Sequence, residues 1–105
     1  MAVAGIIRAA EAAGGFGAVL HKGEREAGTI LVVMAERGAN LRLFELLPDP
    51  EKGRIWTCTR QQDPENPADF SEYLDRRSKR DPDLWIVELD IADGERFILR
   101  QGFLG

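Results

Sequence analysis

Residues 76–89 read RRSKRDPDLWIVEL, and this run marks the passage from a helix into a strand. Its basic residues suit the last turn of a helix, where positive side chains oppose the negative end of the helix dipole. Pro82 restricts Asp81 to extended geometry and therefore stops the helix. The strand that follows places four apolar side chains on one face: Trp85, Val87, Leu89 and Ile91.

The helix before this junction has a marked beginning and one apolar stripe. Asn66 is a favourable N-cap, and Pro67 suits the first helical position because that position needs no backbone N–H. The stripe consists of Phe70, Tyr73, Leu74 and the stem of Arg77. A second amphipathic helix is predicted over residues 2–13, ending at the glycine pair 14–15.

Four extended segments lie between the two helices. Residues 29–35, TILVVMA, form a continuous apolar run, which predicts a central strand buried on both faces. Residues 16–22, 41–47 and 54–60 predict three more strands. The glycine-bracketed residues 23–28 predict a long hairpin loop between the first two strands.

These elements predict an α+β fold with the order α-β-β-β-β-α-β. Short connections favour an antiparallel meander, and the last helix is a crossover that can return the chain for a parallel pairing. We expect a mixed, mainly antiparallel sheet of about five strands with two helices packed on one face. The pattern after Ile91 fits a short helix, a further strand or a docked tail, and the sequence does not choose among them.

The composition is that of a folded domain, with 44% hydrophobic and 30% charged residues in a chain of 105. This length can bury a core without metals or disulfides, so residues 1–105 are expected to form a single domain. Cys58 is the single cysteine, which excludes an intrachain disulfide and favours a reducing cytoplasm. No apolar run approaches the roughly 20 residues that span a bilayer. The net charge of −4 disfavours nucleic acid and membrane surfaces as partners.

The residues around Pro82 are the candidate binding site. Arg76 and Arg80 could contact a partner, although the helix dipole alone also favours cations there. Asp81 and Asp83 could bind a cation or act as acid and base. Asp-Pro-Asp is also an ordinary turn sequence. Trp85 could stack on a planar ligand, and core packing is the favoured role for it.

No other motif predicts a metal, a cofactor or a catalytic group. His21 is the single histidine and lacks the further ligands of a zinc site. The glycines at 14, 15 and 17 follow a helix and open a strand, which is the reverse of the order in a dinucleotide site. We therefore expect no catalytic residue and no cofactor.

Three segments give the chain a resemblance to a known family. They are residues 11–28, which include EAAGGF, KG and AG; residues 62–66, QDPEN; and residues 73–89, which include YLDRR and RDPDLWIVEL. With these motifs the chain resembles the bacterial family catalogued as domain of unknown function 1491. The resemblance implies a compact intracellular bacterial protein with one small domain, and it attaches no activity, ligand or functional residue.

The leading hypothesis is a non-enzymatic binding or interaction protein that contacts a protein partner or forms a homodimer through a sheet edge. One alternative is a small hydrolase or nucleotide-processing enzyme that uses Asp81 and Asp83 with a divalent cation. Another is a weak nucleic-acid binder that uses the basic end of the helix.

Overall fold

The structure, a computed structural model, describes residues 2–26 and 28–100. The elements within these residues are α1 (Ala2–Ala12), β1 (Phe16–His21), β2 (Ile30–Glu36), β3 (Ala39–Asp49), β4 (Gly53–Gln61), α2 (Ala68–Arg80), β5 (Trp85–Asp90) and α3 (Gly94–Arg100). The strands form one sheet in the order β1-β5-β2-β3-β4.

The sheet is mixed: of the strand pairs in the described residues, one is parallel, and it joins β2 to β5. β2, β3 and β4 form an antiparallel meander, as the short connections predict. The prediction that α2 is a crossover into a parallel pairing is confirmed, since Ile30 pairs with Trp85 and Val32 with Val87.

The predicted hairpin between β1 and β2 is wrong, because β5 lies between these two strands. β1 pairs with β5 in antiparallel orientation, and residues 22–26 and 28–29 of the connection to β2 lie at the amino end of β5. Trp85, Ile86, Val87 and Leu89 of β5 are all buried, so this strand gains by having a neighbour on each side. A local loop pattern cannot reveal a strand that arrives more than fifty residues later.

The prediction that both helices pack on one face is also wrong. α1 and α3 cover one face of the sheet, where they contact Val32, Val87 and Leu89. α2 covers the opposite face, which is built from residues such as Leu31, Val33 and Ile86. β2 was correctly expected to be central and buried on both faces, and such a strand requires cover on both sides.

The described chain has three helices rather than the predicted two, because the segment after Ile91 forms α3. Ile98 of α3 is fully buried in the same cluster as α1. Gly94 begins the helix directly against the side chain of Met34, which leaves no space for a β-carbon there. The α3 helix therefore completes the core on the α1 face.

The helix-to-strand junction forms as predicted, with one shift at its start. α2 begins at Ala68 with Pro67 as N-cap, so the predicted N-cap at Asn66 is wrong by one residue. Phe70 and Leu74 are buried under the helix, and Asp81 caps its end by donating its backbone N–H to the Arg77 carbonyl.

Candidate functional site

The structure buries Trp85 and leaves exposed the four charged residues that were predicted to share a site with it. Arg76, Arg80, Asp81 and Asp83 are exposed, whereas Trp85 is 6% exposed and belongs to the core. The favoured role of Trp85 in core packing is therefore confirmed.

The amino end of β5 is closed by the chain that crosses it. The Trp85 indole Nε1–H donates to the Glu24 carbonyl at 2.7 Å, and the Glu24 N–H donates to the Asp83 carbonyl at 2.9 Å. A β-carbon on Gly23 or Gly28 would collide with that same carbonyl, so the close approach requires glycine. Trp85 thus anchors the crossing segment to the strand.

Nearby hydrogen bonds stabilise the Asp81–Leu84 turn. The His21 Nδ1–H donates to the Leu84 carbonyl at 2.6 Å, and the Asp81 carboxylate accepts the Asp83 backbone N–H at 3.3 Å. Across residues 2–26 and 28–100, no group of three or more histidine, cysteine or acidic side chains is arranged to hold a metal ion. The two aspartates therefore gain no third ligand from the described fold.

The late cations of α2 divide into two sets. Arg77 pairs with Glu45 at 3.1 Å, and Lys79 pairs with Asp75 at 3.0 Å. Within the described part of the chain, Arg76 and Arg80 form no ion pair, and neither do Asp81 and Asp83. We call these four residues the junction surface: Arg76, Arg80, Asp81 and Asp83.

A polar network ties α2 to β3 and β4. The Arg77 guanidinium donates to both Glu45 oxygens, at 3.1 and 3.3 Å, and to the Tyr73 hydroxyl at 2.8 Å. Thr59 donates to Glu45 at 2.6 Å, and the Arg60 guanidinium lies 4.0 Å from the centre of the Tyr73 ring. These groups satisfy one another, so the network stabilises the helix on the sheet.

Burial and hydrogen bonding act in opposite directions on Glu45. Burial by itself raises the pKa of its carboxyl, but the hydrogen bonds from Arg77 and Thr59 outweigh this and leave the pKa below its ordinary value. The bond to Glu45 correspondingly raises the pKa of Arg77. Both side chains are therefore held in their charged forms.

A groove that the sequence did not predict lies at the opposite, carboxyl end of β5. It has a volume of about 600 Å³ and is lined by nine residues: Gly14, Gly15, Phe16, Glu36, Arg37, Asn40, Asp90, Ile91 and Ala92. We call it the carboxyl-end groove. The sequence signal that could have found it is the two-residue turn between β2 and β3, where Arg37 occupies a position that favours asparagine or glycine.

These features define a class: a small α+β protein whose mixed sheet is covered by helices on both faces. Its sequence matches the family model described as protein of unknown function (DUF1491) over residues 1–99. The chain belongs to this family. No helix in the described residues is long and apolar enough to cross a membrane.

Solved structures resemble this fold. A crystal structure of a DUF1491 family protein from Caulobacter crescentus CB15 is 35% identical, with a TM-score of 0.76 over 90% of this chain and 88% of that one. An NMR structure of a DUF1491 family protein from the same organism is 35% identical, with a TM-score of 0.72 over 91% and 86%. A solution structure of a protein from A. tumefaciens is 29% identical, with a TM-score of 0.68 over 87% and 82%. No curated protein matches the sequence.

Proposed function

We propose that this protein is a non-enzymatic interaction domain that pairs with a second copy of itself through the free edge of β1. The observation that carries this proposal is a concentration of exposed apolar side chains. Among the described residues, three of the five large exposed hydrophobic side chains lie on this one strand: Phe16, Val19 and Leu20, which are 59%, 44% and 50% exposed.

The backbone of β1 is open to the same partner. Among the described residues, β1 is the terminal strand of the sheet and pairs only with β5, so its outer row of N–H and C=O groups is available. Its sequence, FGAVLH, contains no lysine, acidic residue or proline of the kind that normally blocks edge pairing. Two copies can align antiparallel around a two-fold axis without bringing like charges together, which favours a second copy as the occupant.

Sedimentation analysis of the wild type and of Leu20→Lys tests the dimer. The wild type should be dimeric at about 100 µM, and a lysine on the edge should make it monomeric because its charge would be buried in the interface. Leu47→Lys is the matched control, since Leu47 is also exposed, at 37%, but lies on β3. This control should remain dimeric.

A monomeric wild type at that concentration would overturn the dimer proposal, and so would a Leu20→Lys variant that stays dimeric. Circular dichroism and thermal melting check that both variants are folded. A second edge variant, Ala18→Lys, gives the same readout if Leu20→Lys does not fold.

The junction surface supports a second contact, with a different protein. Its two cations and two carboxylates are exposed and form no ion pair within the described chain, while the Trp85 anchor and the Asp81–Leu84 turn hold the backbone beneath them. Exposed charges of both signs favour a protein surface with complementary charges. A polyanion such as nucleic acid would meet Asp81 and Asp83 beside the two arginines, which weakens that alternative.

Affinity purification from the source organism tests the junction surface. The variant Arg76→Glu with Arg80→Glu should lose specific partners that the wild type retains. The matched control is Arg8→Glu with Arg54→Glu, which makes the same change in net charge at two exposed arginines elsewhere. Retention of all partners by the first variant, measured by quantitative mass spectrometry, would contradict the assignment.

The divalent-cation alternative gains less support from the geometry, because Asp81 already accepts the Asp83 N–H and no third ligand lies nearby among the described residues. Calorimetric titration with magnesium, manganese and calcium tests it directly. A saturable heat that Asp81→Asn with Asp83→Asn removes would favour the enzyme over the interaction domain.

A further inference from the structure

The carboxyl-end groove has the size and position of a small-molecule site. Its volume of about 600 Å³ lies within the range of ligand pockets. β2 ends at Glu36 and β5 ends at Asp90, and these two strands are parallel neighbours, so both carboxyl ends open at the groove. Ligands in open α/β sheets commonly bind outside the carboxyl ends of parallel strands.

The acidic side chains of the groove are already engaged. The two carboxylate oxygens of Asp90 accept the backbone N–H groups of Arg37 and Gly38, at 2.8 and 2.9 Å. The Glu36 carboxylate faces the Arg42 guanidinium at 3.5 Å. Both negative charges are therefore directed toward groups of the protein itself.

The remaining recognition groups are a cation, an amide and a ring. The Arg37 guanidinium has no ion pair and the Asn40 amide has no side-chain hydrogen bond with any other described residue. The Phe16 ring is 59% exposed at the same groove. Together they offer an anion contact, a hydrogen-bonding group and a stacking surface.

The backbone at Arg37 supplies an independent observation. Arg37 and Gly38 are the two central residues of the β2–β3 turn, and both have positive φ, at 52° and 78°. This is the requirement of a type I′ turn, whose first position favours asparagine, aspartate or glycine. An arginine there costs stability, and strained residues beside a cavity concentrate at functional sites. Asn40 and Asp93 also have positive φ, but asparagine and aspartate tolerate it.

We propose that the carboxyl-end groove binds a small anion that carries a flat ring. Its carboxylate or phosphate binds the Arg37 guanidinium, its ring packs on Phe16, and a polar ring atom hydrogen-bonds to the Asn40 amide. This function goes beyond the proposed interaction domain, and it shares Phe16 with the proposed β1 interface.

Amide-resolved NMR titration tests the groove with four probes: adenosine monophosphate, nicotinate, adenosine and inorganic phosphate. Adenosine monophosphate carries a nitrogen-containing ring with a phosphate, and nicotinate carries a nitrogen-containing ring with a carboxylate, so the two probes cover both anions. At least one of them should give saturable shifts at Gly14, Gly15 and Asn40. Adenosine lacks the anion and inorganic phosphate lacks the ring, so each should bind at least about tenfold more weakly.

The decisive variant is Arg37→Asn, with Arg54→Asn as a control that removes an exposed arginine elsewhere. Arg37→Asn should weaken binding at least about tenfold while the melting temperature does not fall, because asparagine suits the turn. The control should bind as the wild type does. Repeating the titration on Leu20→Lys separates ligand binding from dimer formation.

Two results would overturn the proposal. One is the absence of saturable shifts at the groove with either ring-bearing anion up to about 10 mM. The other is wild-type affinity in Arg37→Asn. Neither result bears on the β1 edge, which sedimentation tests alone.

Discussion

The two ends of β5 differ in how the rest of the chain meets them. At the amino end, His21, Glu24 and Thr29 contact the strand or the turn before it, and hydrogen bonds join Glu24 to Trp85 and to Asp83. At the carboxyl end, Asp90 holds the β2–β3 turn but leaves a groove of about 600 Å³ beside it. The amino end of β5, which follows the charged residues, is thus closed, and the carboxyl end is open.

Topology explains this difference. β5 lies between β1 and β2, so the connection between those two strands must cross one end of β5, and it crosses the amino end. The connections at the carboxyl end are short: residues 13–15 join α1 to β1, Arg37-Gly38 joins β2 to β3, and residues 91–93 join β5 to α3. They leave the carboxyl-end groove open.

Filling the closed end should produce the largest effect. In Gly28→Ala the new β-carbon would meet the Asp83 carbonyl and would lie 2.8 Å from Trp85 Cδ1 and 2.9 Å from the Glu24 carbonyl oxygen. We expect the free energy of unfolding to fall by about 3 kcal/mol, measured by urea denaturation. Gly5→Ala is the control, because nothing lies within 4 Å of its new β-carbon. It should stabilise α1, and equal effects of the two changes would contradict the close packing.

Removing the Trp85 hydrogen bond at the amino end of β5 should lower the free energy of unfolding less than Gly28→Ala does. Trp85→Phe keeps an aromatic ring in the core but removes the Nε1–H that donates to the Glu24 carbonyl at 2.7 Å. We expect a loss of about 2 kcal/mol in the free energy of unfolding. Hydrogen exchange should accelerate at Glu24, whose N–H donates to Asp83. Unchanged exchange there would show that the indole does not hold the crossing segment.

A series of stability measurements at different pH values tests the ion pair between Glu45 and Arg77, which joins α2 to the sheet and is part of neither end of β5. The pKa of Glu45 is lowered in the folded protein, so its contribution is fully present above its ordinary pKa and is lost as the pH falls through the folded value. Because the pair is partly exposed, we expect it to contribute about 1 kcal/mol. Glu45→Gln should therefore flatten the acid limb of a stability profile, whereas Glu72→Gln, at an exposed position on α2, should leave it unchanged. Identical profiles in the two variants would contradict the role of the Arg77 contact.

The smallest expected change in the free energy of unfolding lies at the open, carboxyl end of β5, and it is a gain rather than a loss. Arg37→Asn places a residue that tolerates positive φ at a position with φ of 52°, so it should stabilise the protein by about 0.5 kcal/mol. Arg54→Asn should bring no comparable gain. A loss of stability in Arg37→Asn would mean that the arginine is retained for packing. The carboxyl end of β5 would then be structural, as the amino end is.

Much of the local structure could be predicted from sequence. The continuous apolar run of β2 predicted its central position, and Pro82 predicted the end of α2 and the entry into β5. The alternation from Trp85 to Leu89 predicted which side chains share one face of β5, and the structure packs that face against α1. Each of these features depends on residues that are close together in the chain.

The candidate sites were less predictable. Arg76, Arg80, Asp81 and Asp83 were identified by their charge, and their binding role stays a prediction. The groove was missed because Phe16, Arg37 and Asp90 are distant in sequence and meet only when β5 enters the sheet. Exposure of β1 could not be predicted either, since its neighbour in sequence, β2, is not its neighbour in the sheet.

The sequence by itself determined most helices and strands, the centre of the sheet and the sharp junction at Pro82, because periodicity, capping and proline geometry act over a few residues. Only the tertiary structure decided that β5 separates β1 from β2, that helices cover both faces, and that one end of β5 is closed while the other is open. These outcomes depend on long-range burial, in which a strand apolar on both faces gains most by lying between two others.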